Sequence, residues 1–266
     1  MARTVVIDSF PESAAAYHSP YAIVAVDVIR ATTMAVTAVA LGRRCFPVST
    51  VQEAFSLAKR LDRPVLAGEL GGIMPAGFEM SNSPADLIKR TDIHRPLILL
   101  SSSGTQLIAR ARGADAVYVA CFRNVSATAR TVGKQHSRVA VIGAGSRGEF
   151  REEDQMCCAW VAQQLIEDGY VAQNQHTQEL VRRWKGCPPE ACAHGNSAKY
   201  LRNSGQVRDL DFILERIDDL EAVFALEMDE IITALPQELI TPQDALMTCA
   251  SSGFYDANSG GLYDAN

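Results

Sequence analysis

The sequence predicts an α/β protein. The expected body is a layered α/β/α arrangement around a mostly parallel or mixed sheet, with a C-terminal helical segment or second lobe. Three observations predict it. Apolar runs of strand length alternate with segments of helical period through the first two-thirds of the 266 residues. Gly, Pro and Asn clusters separate them. Beyond residue 170, helical patterns follow one another with little strand between them.

The elements follow in order. "TVVID" (4–8) and "YAIVAVDV" (21–28) have the continuous apolar character of buried strands. "TTMAVTAVALG" (32–42) has helical character and stops at Gly42. "RCFPVS" is a strand, "VQEAFSLAKRL" an amphipathic helix and "PVLAG" a strand. Residues 69–84 form a long Gly/Pro/Ser/Asn loop. "PADLIKR" is a short helix, "PLILLS" a strand, "GTQLIARARG" a helix, "ADAVYVAC" a strand and "NVSATARTVGKQ" a helix. "RVAVIGAG" is a strand, and "EEDQMCCAWVAQQLIEDG" a helix with acids in its first turn. Helical patterns continue near 177–185, 189–203 and 208–220. The expected organisation is a core over 1–170, a mostly helical lobe over 171–250 packed on it, and a flexible tail over 251–266. That tail repeats Tyr-Asp-Ala-Asn.

Composition narrows the function. A net charge of −6 opposes binding to nucleic acid or an anionic membrane, while a small anionic ligand stays compatible with local cations. No apolar run is long enough to span a membrane, and the N-terminus lacks secretory character. Seven cysteines in a chain of this size suit reduced, buried thiols. A cytoplasmic protein is expected, with a homodimer left open.

In a parallel sheet, ligands gather beyond the C-terminal strand ends. Five such loops are polar or glycine-rich: 27–33, 68–82, 101–105, 121–124 and 143–154. Asp27 ends a strand, and Arg30, Thr32 and Thr33 follow at a helix start. Asp27 can hold a divalent cation and Arg30 can grip a phosphate or carboxylate. A strand-end ion pair with a helix cap explains the same residues equally well. Glu69, beside Gly71-Gly72, and Asp154, beside Glu153, are further metal-ligand candidates. A favourable helix N-terminus also accounts for Glu153. "SSSGT" (101–105), with Ser103, Gly104 and Thr105, is either a small anion cradle or an ordinary cap.

Other motifs fail on their own terms. Gly143-x-Gly145-x-x-Gly148 has dinucleotide-loop spacing, but no strand ending in an acid follows the helix. Acids at the helix start would also repel a pyrophosphate. A nicotinamide-dependent oxidoreductase is therefore the weaker reading. A haloacid-dehalogenase motif needs a second Asp where Ile29 stands, and a tyrosine-phosphatase loop after Cys121 needs Arg where Ala127 stands. Cys187, Cys192 and His194 lack a fourth ligand for structural zinc.

Taken together, "DVIRATT", "GELGG", "GFEMSNSP", "SSSGT", "FRNVSA" and "GAGSRGEFREED" resemble the 2-phosphosulfolactate phosphatase family over about residues 20 to 230. The resemblance implies a Mg²⁺-dependent phosphatase of α/β fold. It would convert 2-phospho-3-sulfolactate to 3-sulfolactate for coenzyme M synthesis. It implies metal ligation and catalysis by Asp27, Glu69 and Asp154. It implies binding of the phosphorylated substrate by Arg30, Thr32, Thr33, Asn82, Ser83, Gly104, Thr105, Asn124 and Gly145, and Ser103 and Arg147, on the same loops, are further substrate-binding candidates. Two motifs depart from the family pattern. Leu70 replaces the Arg of Gly-Glu-Arg-Gly-Gly, and Ser102-Ser103 replaces Thr-Asn before Gly104-Thr105. Arg123 and Arg147 are cations on neighbouring loops that could compensate for the lost guanidinium. A homologue with a changed substrate, or a binding protein without turnover, is the alternative.

Overall fold

The computed structural model describes residues 2–146 and 148–234. Its strands are β1 (Thr4–Ser9), β2 (Ala22–Val26), β3 (Cys45–Val48), β4 (Val65–Gly68), β5 (Leu97–Leu100), β6 (Ala116–Ala120), β7 (Arg138–Gly143), β8 (Val171–Ala172), β9 (Val223–Glu227) and β10 (Glu230–Ala234). Its α-helices are α1 (Ala31–Ala40), α2 (Val51–Ala58), α3 (Pro84–Leu87), α4 (Gly104–Arg110), α5 (Val125–Gln135), α6 (Glu152–Glu167), α7 (Gln175–Trp184), α8 (Asn196–Asn203) and α9 (Val207–Glu215). Residues up to Ala234 form one compact unit. The segment 235–250 of the expected helical lobe and the expected tail at 251–266 lie outside the described residues.

The strands form one mixed sheet in the order β4-β5-β3-β10-β9-β6-β2-β7-β1-β8. Strands β4, β5 and β3 run parallel to one another, as do β6, β2, β7, β1 and β8. The β9–β10 hairpin joins the two blocks through antiparallel pairings, with a single pair, Ile231 to Cys45, at the β10–β3 junction. The blocks therefore run in opposite senses along the ladder. Five interstrand steps separate β5 from β2, and at roughly 20–25° of twist per step the sheet turns through about 100° or more. The ends of β2 and β7 are neighbours, and Gly104, just beyond β5, stands against Asp27 at the end of β2. The hairpin is absent from a reading of residues 171–250 as mostly helical.

Period-two alternation fills both faces of the sheet. Val5, Ile7, Val24 and Val26 pack with Met156, Val161, Leu165, Leu180 and Trp184 from α6 and α7. Val6, Ile23 and Ala25 pack with Met34, Ala35, Leu107 and Ile108 from α1 and α4. Helix starts follow their caps: Thr50 accepts from the Glu53 amide at 3.0 Å, and Asn174 from the Thr177 amide at 2.8 Å. Among the described residues no helix is long and apolar enough to cross a membrane.

Candidate active site

Asp27 stands where β2 ends, and its main chain is clamped before its side chain does anything. The Thr32 hydroxyl donates to the Asp27 carbonyl at 2.8 Å and accepts from its amide at 2.9 Å. The Thr33 hydroxyl donates to the Val28 carbonyl at 2.7 Å. Both threonines are buried and spend their hydroxyls on this turn, away from the cleft. The Asp27 carboxylate accepts from the Ala31 amide at 3.3 Å and borders a cleft of about 730 Å³.

Asp154, in the first turn of α6, ties two strand ends together. One oxygen accepts from the Val28 amide at 2.8 Å and the other from the Gly145 amide at 3.1 Å. Gly145 has φ +58°, and a Cβ there would meet Phe10 and the Glu149 carbonyl at 2.9 Å. The glycine loop thus receives a carboxylate of its own chain. Asp27 and Asp154 are 8% and 3% exposed. Burial pushes the Asp27 carboxyl up to about 7, and the charges of Glu69 and Glu153 add to this. Burial, then the charges of Asp27 and Glu153, hold Asp154 well above the usual carboxylate range. Glu153 is also buried, and burial holds its carboxyl above the usual carboxylate range.

The other block supplies the opposite rim. Glu69 accepts from the Ser102 amide at 2.9 Å, the Ser102 hydroxyl at 3.0 Å and the Gly72 amide at 2.6 Å. Its carboxylate lines the cleft, as do Ser103 and Asn82. Asn82 is 2% exposed and its Oδ1 lacks a partner among the described residues, so it offers an acceptor to a ligand. Gly104 lies so close that a Cβ would stand 2.3 Å from Asp27 Oδ2. Thr105 exchanges hydrogen bonds with Ser101 and is fully buried.

Four of the five expected loops therefore meet. The 121–124 loop does not line the cleft. Asn124 accepts from the Cys121 amide and donates to the Val119 carbonyl and Thr128 hydroxyl, which makes it a brace inside the fold. The Ser83 hydroxyl caps α3 and donates to Asp209. Arg147 lies outside the described residues. Arg123 pairs with Asp219 and Thr37, away from the cleft.

Among the described residues, the cations lining the cleft are Arg30, Arg151 and Lys199. Arg30 Nη1 is held by Asp209 and Gln206. Arg151 bonds Glu149 at 3.1 Å and the Ser146 carbonyl at 3.2 Å. Lys199 comes from α8, which forms a wall with Asn196, Ser197 and Tyr200. Sequence reasoning missed Arg151, Lys199 and Asp209. For Asp209 a signal existed, because it shares the buried stripe of α9 with Phe212 and Ile213.

No three His, Cys, Asp or Glu side chains among the described residues stand close enough to cage a metal ion. Asp27 and Asp154 are a different kind of donor set. They are buried and mutually repelling, and no Lys or Arg pairs with either among the described residues. One or two carboxylates, completed by water and phosphate oxygens, are what Mg²⁺ takes.

The model of 2-phosphosulpholactate phosphatases matches residues 8–229. The chain belongs to the 2-phosphosulpholactate phosphatase family. Named relatives agree, each called a probable 2-phosphosulfolactate phosphatase. The one from Symbiobacterium thermophilum is 34% identical over 198 residues, covering 71% of this chain and 84% of its own. Those from Carboxydothermus hydrogenoformans and Thermotoga petrophila are each 30% identical, covering 72% and 71% of this chain and 80% and 82% of their own. The family's named activity is that of a phosphoric monoester hydrolase. Against that background Leu70 is 41% exposed and does not line the cleft, while Ser102 and Ser103 do.

Proposed function

We propose that the protein is a Mg²⁺-dependent phosphatase acting on a small anionic 2-phospho acid, with 2-phosphosulfolactate the first candidate. The buried pair Asp27 and Asp154, at the convergence of three strand ends, carries this reading. These two carboxylates would hold the metal, with Glu69 at the rim. When bound, Mg²⁺ would neutralise phosphoryl oxygens and lower the pKa of a coordinated water. Arg30 would bind transferred phosphate oxygens, and the Ser103 hydroxyl and Asn82 would orient the ester. Arg151 and Lys199 would face the substrate's second anionic group. The product 3-sulfolactate would suit coenzyme M synthesis. A cytoplasmic location belongs to the same proposal, supported by six free cysteines among the described residues.

The test is phosphate release from 2-phosphosulfolactate, 2-phospholactate and 2-phosphoglycerate, with Mg²⁺ and after EDTA. Release should require the metal and fall about a thousandfold in Asp27→Asn and Asp154→Asn, with the fold intact by circular dichroism. Metal-independent release, or full activity in both variants, would refute the mechanism. A second reading, a family member with a changed substrate, is favoured by Ser102 and Ser103, which line the cleft where the family pattern has Thr-Asn. It predicts release from a phospho acid other than 2-phosphosulfolactate.

A further inference from the structure

We infer that Asp209 is a positioning residue that sets two cleft groups at once, the Arg30 guanidinium and the Asn82–Ser83 turn. The inference rests on the proposed role of Arg30 in binding phosphate. Asp209 lies on α9, far in sequence from both groups, and is 2% exposed. Its Oδ2 accepts from Arg30 Nη1. Its Oδ1 accepts from the Ser83 hydroxyl at 2.7 Å and the Ala85 amide at 3.1 Å. Ser83 directly follows Asn82, whose unpartnered Oδ1 borders the cleft. One carboxylate thus fixes residues from two loops of the site.

The geometry suits positioning better than stabilisation alone. A buried ion pair contributes little net stability, because desolvation offsets its attraction. A guanidinium has five N–H donors in a planar fork. Asp209 and Gln206 both engage Nη1. This leaves the Nε–Nη2 edge, which has no hydrogen-bond partner among the described residues, to take two oxygens of a phosphate. Arg30 also directly precedes α1 and lies three residues after Asp27. Fixing its side chain steadies the turn that presents Asp27.

The experiment measures binding of inorganic phosphate by calorimetry, with Mg²⁺ present, to the full chain and to Arg30→Ala, Asp209→Asn and the double variant. Asp209→Asn keeps an acceptor for Ser83 and Ala85. Its Kd for phosphate should rise about tenfold, and the double variant should be no weaker than Arg30→Ala. Gln206→Ala, which spares the carboxylate, should raise Kd about threefold and serves if Asp209→Asn does not fold. An Asp209→Asn protein with lowered Tm but wild-type Kd would make Asp209 purely structural and overturn the inference. So would a wild-type Kd in Gln206→Ala where Asp209→Asn does not fold, or additive losses in the double variant. A wild-type protein that binds no phosphate would overturn this inference together with the proposed function. Phosphate binding that Arg30→Ala leaves unchanged would remove Arg30 from the site, and Asp209 with it.

Discussion

The floor of the cleft and its helical wall are built differently. In the floor, Asp27, Gly104, Thr105 and Asp154 are buried, and the Thr32 and Thr105 hydroxyls and the Gly145 amide are spent on strand-end turns. In the wall, Lys199, Asn196 and Tyr200 are exposed. The wall is tied to the 69–72 loop by the Tyr200 hydroxyl donating to the Gly72 carbonyl at 2.8 Å, and it packs on α9, whose Asp209 holds Arg30. A floor residue cannot move without moving its neighbours, whereas a wall residue can change alone. The contrast assigns bond cleavage to the floor and choice of substrate to the wall.

The contrast breaks first at Gly104. An added Cβ would lie 2.3 Å from Asp27 Oδ2 and 2.6 Å from the Ala31 Cβ. Gly104→Ala should therefore displace the Asp27 carboxylate, lowering phosphate release about a hundredfold. It should also cost about 1–3 kcal/mol in denaturant unfolding. Wild-type activity in this variant would mean the floor is not locked.

A second effect comes from pH, in EDTA-treated protein. Asp27 titrates near 7 when folded, against 3.8 for the ordinary side chain. Between those values the folded state binds a proton that the unfolded state does not. Metal-free stability from this group is therefore full at the acid end and falls as pH rises through the window, by at most about 1.4 kcal/mol per pH unit. Asp154, also raised, adds in the same direction. His136 opposes them, since burial lowers its pKa and charging it favours unfolding at low pH. The surface carboxylates of Glu79 and Asp92, held low first by hydrogen bonds from Arg95 and Arg90, lose their contribution only at more acid pH. The difference between wild type and Asp27→Asn isolates the floor. Asp27→Asn should be the more stable of the two at pH 7.5 and gain less from acidification to pH 5.5. Parallel pH profiles would contradict a strained acid at position 27.

Legibility in the sequence follows the same division. The strands up to β7 are apolar runs between Gly and Pro, and the acids at their ends announce themselves. Whether a side chain at a strand end faces the ligand or its own turn depends on a rotamer no spacing reveals. Thr32, Thr33, Thr105 and Asn124 all turn inward. Arg123 finds Asp219 across 96 residues, and Asp209 reaches Arg30 across 179. The β9–β10 hairpin escapes for a related reason. "VFALEMDEIITA" carries acids at and beside its turn, and its place in the sheet depends on pairings with Tyr118 and Cys45. Contacts of that separation are fixed by the assembled sheet and leave no local pattern.

The smallest effect probes the wall alone. Lys199 lines the cleft, is exposed, and has no carboxylate partner among the described residues. An exposed ammonium facing a ligand anion is worth about 0.2–1 kcal/mol, so Lys199→Ala should raise KM for a 2-phospho acid only about two- to fivefold. Its kcat should stay unchanged, because the floor is untouched. The same variant should leave p-nitrophenyl phosphate unaffected, since that ester carries no second acid group. Added salt should shrink the difference between variant and wild type, because the pair is screened by solvent. Equal losses on both substrates would mean Lys199 acts on the phosphate itself, and the separation of floor from wall would fail. No change on either would mean the wall selects by shape, leaving Arg151 as the cation that reads the second acid.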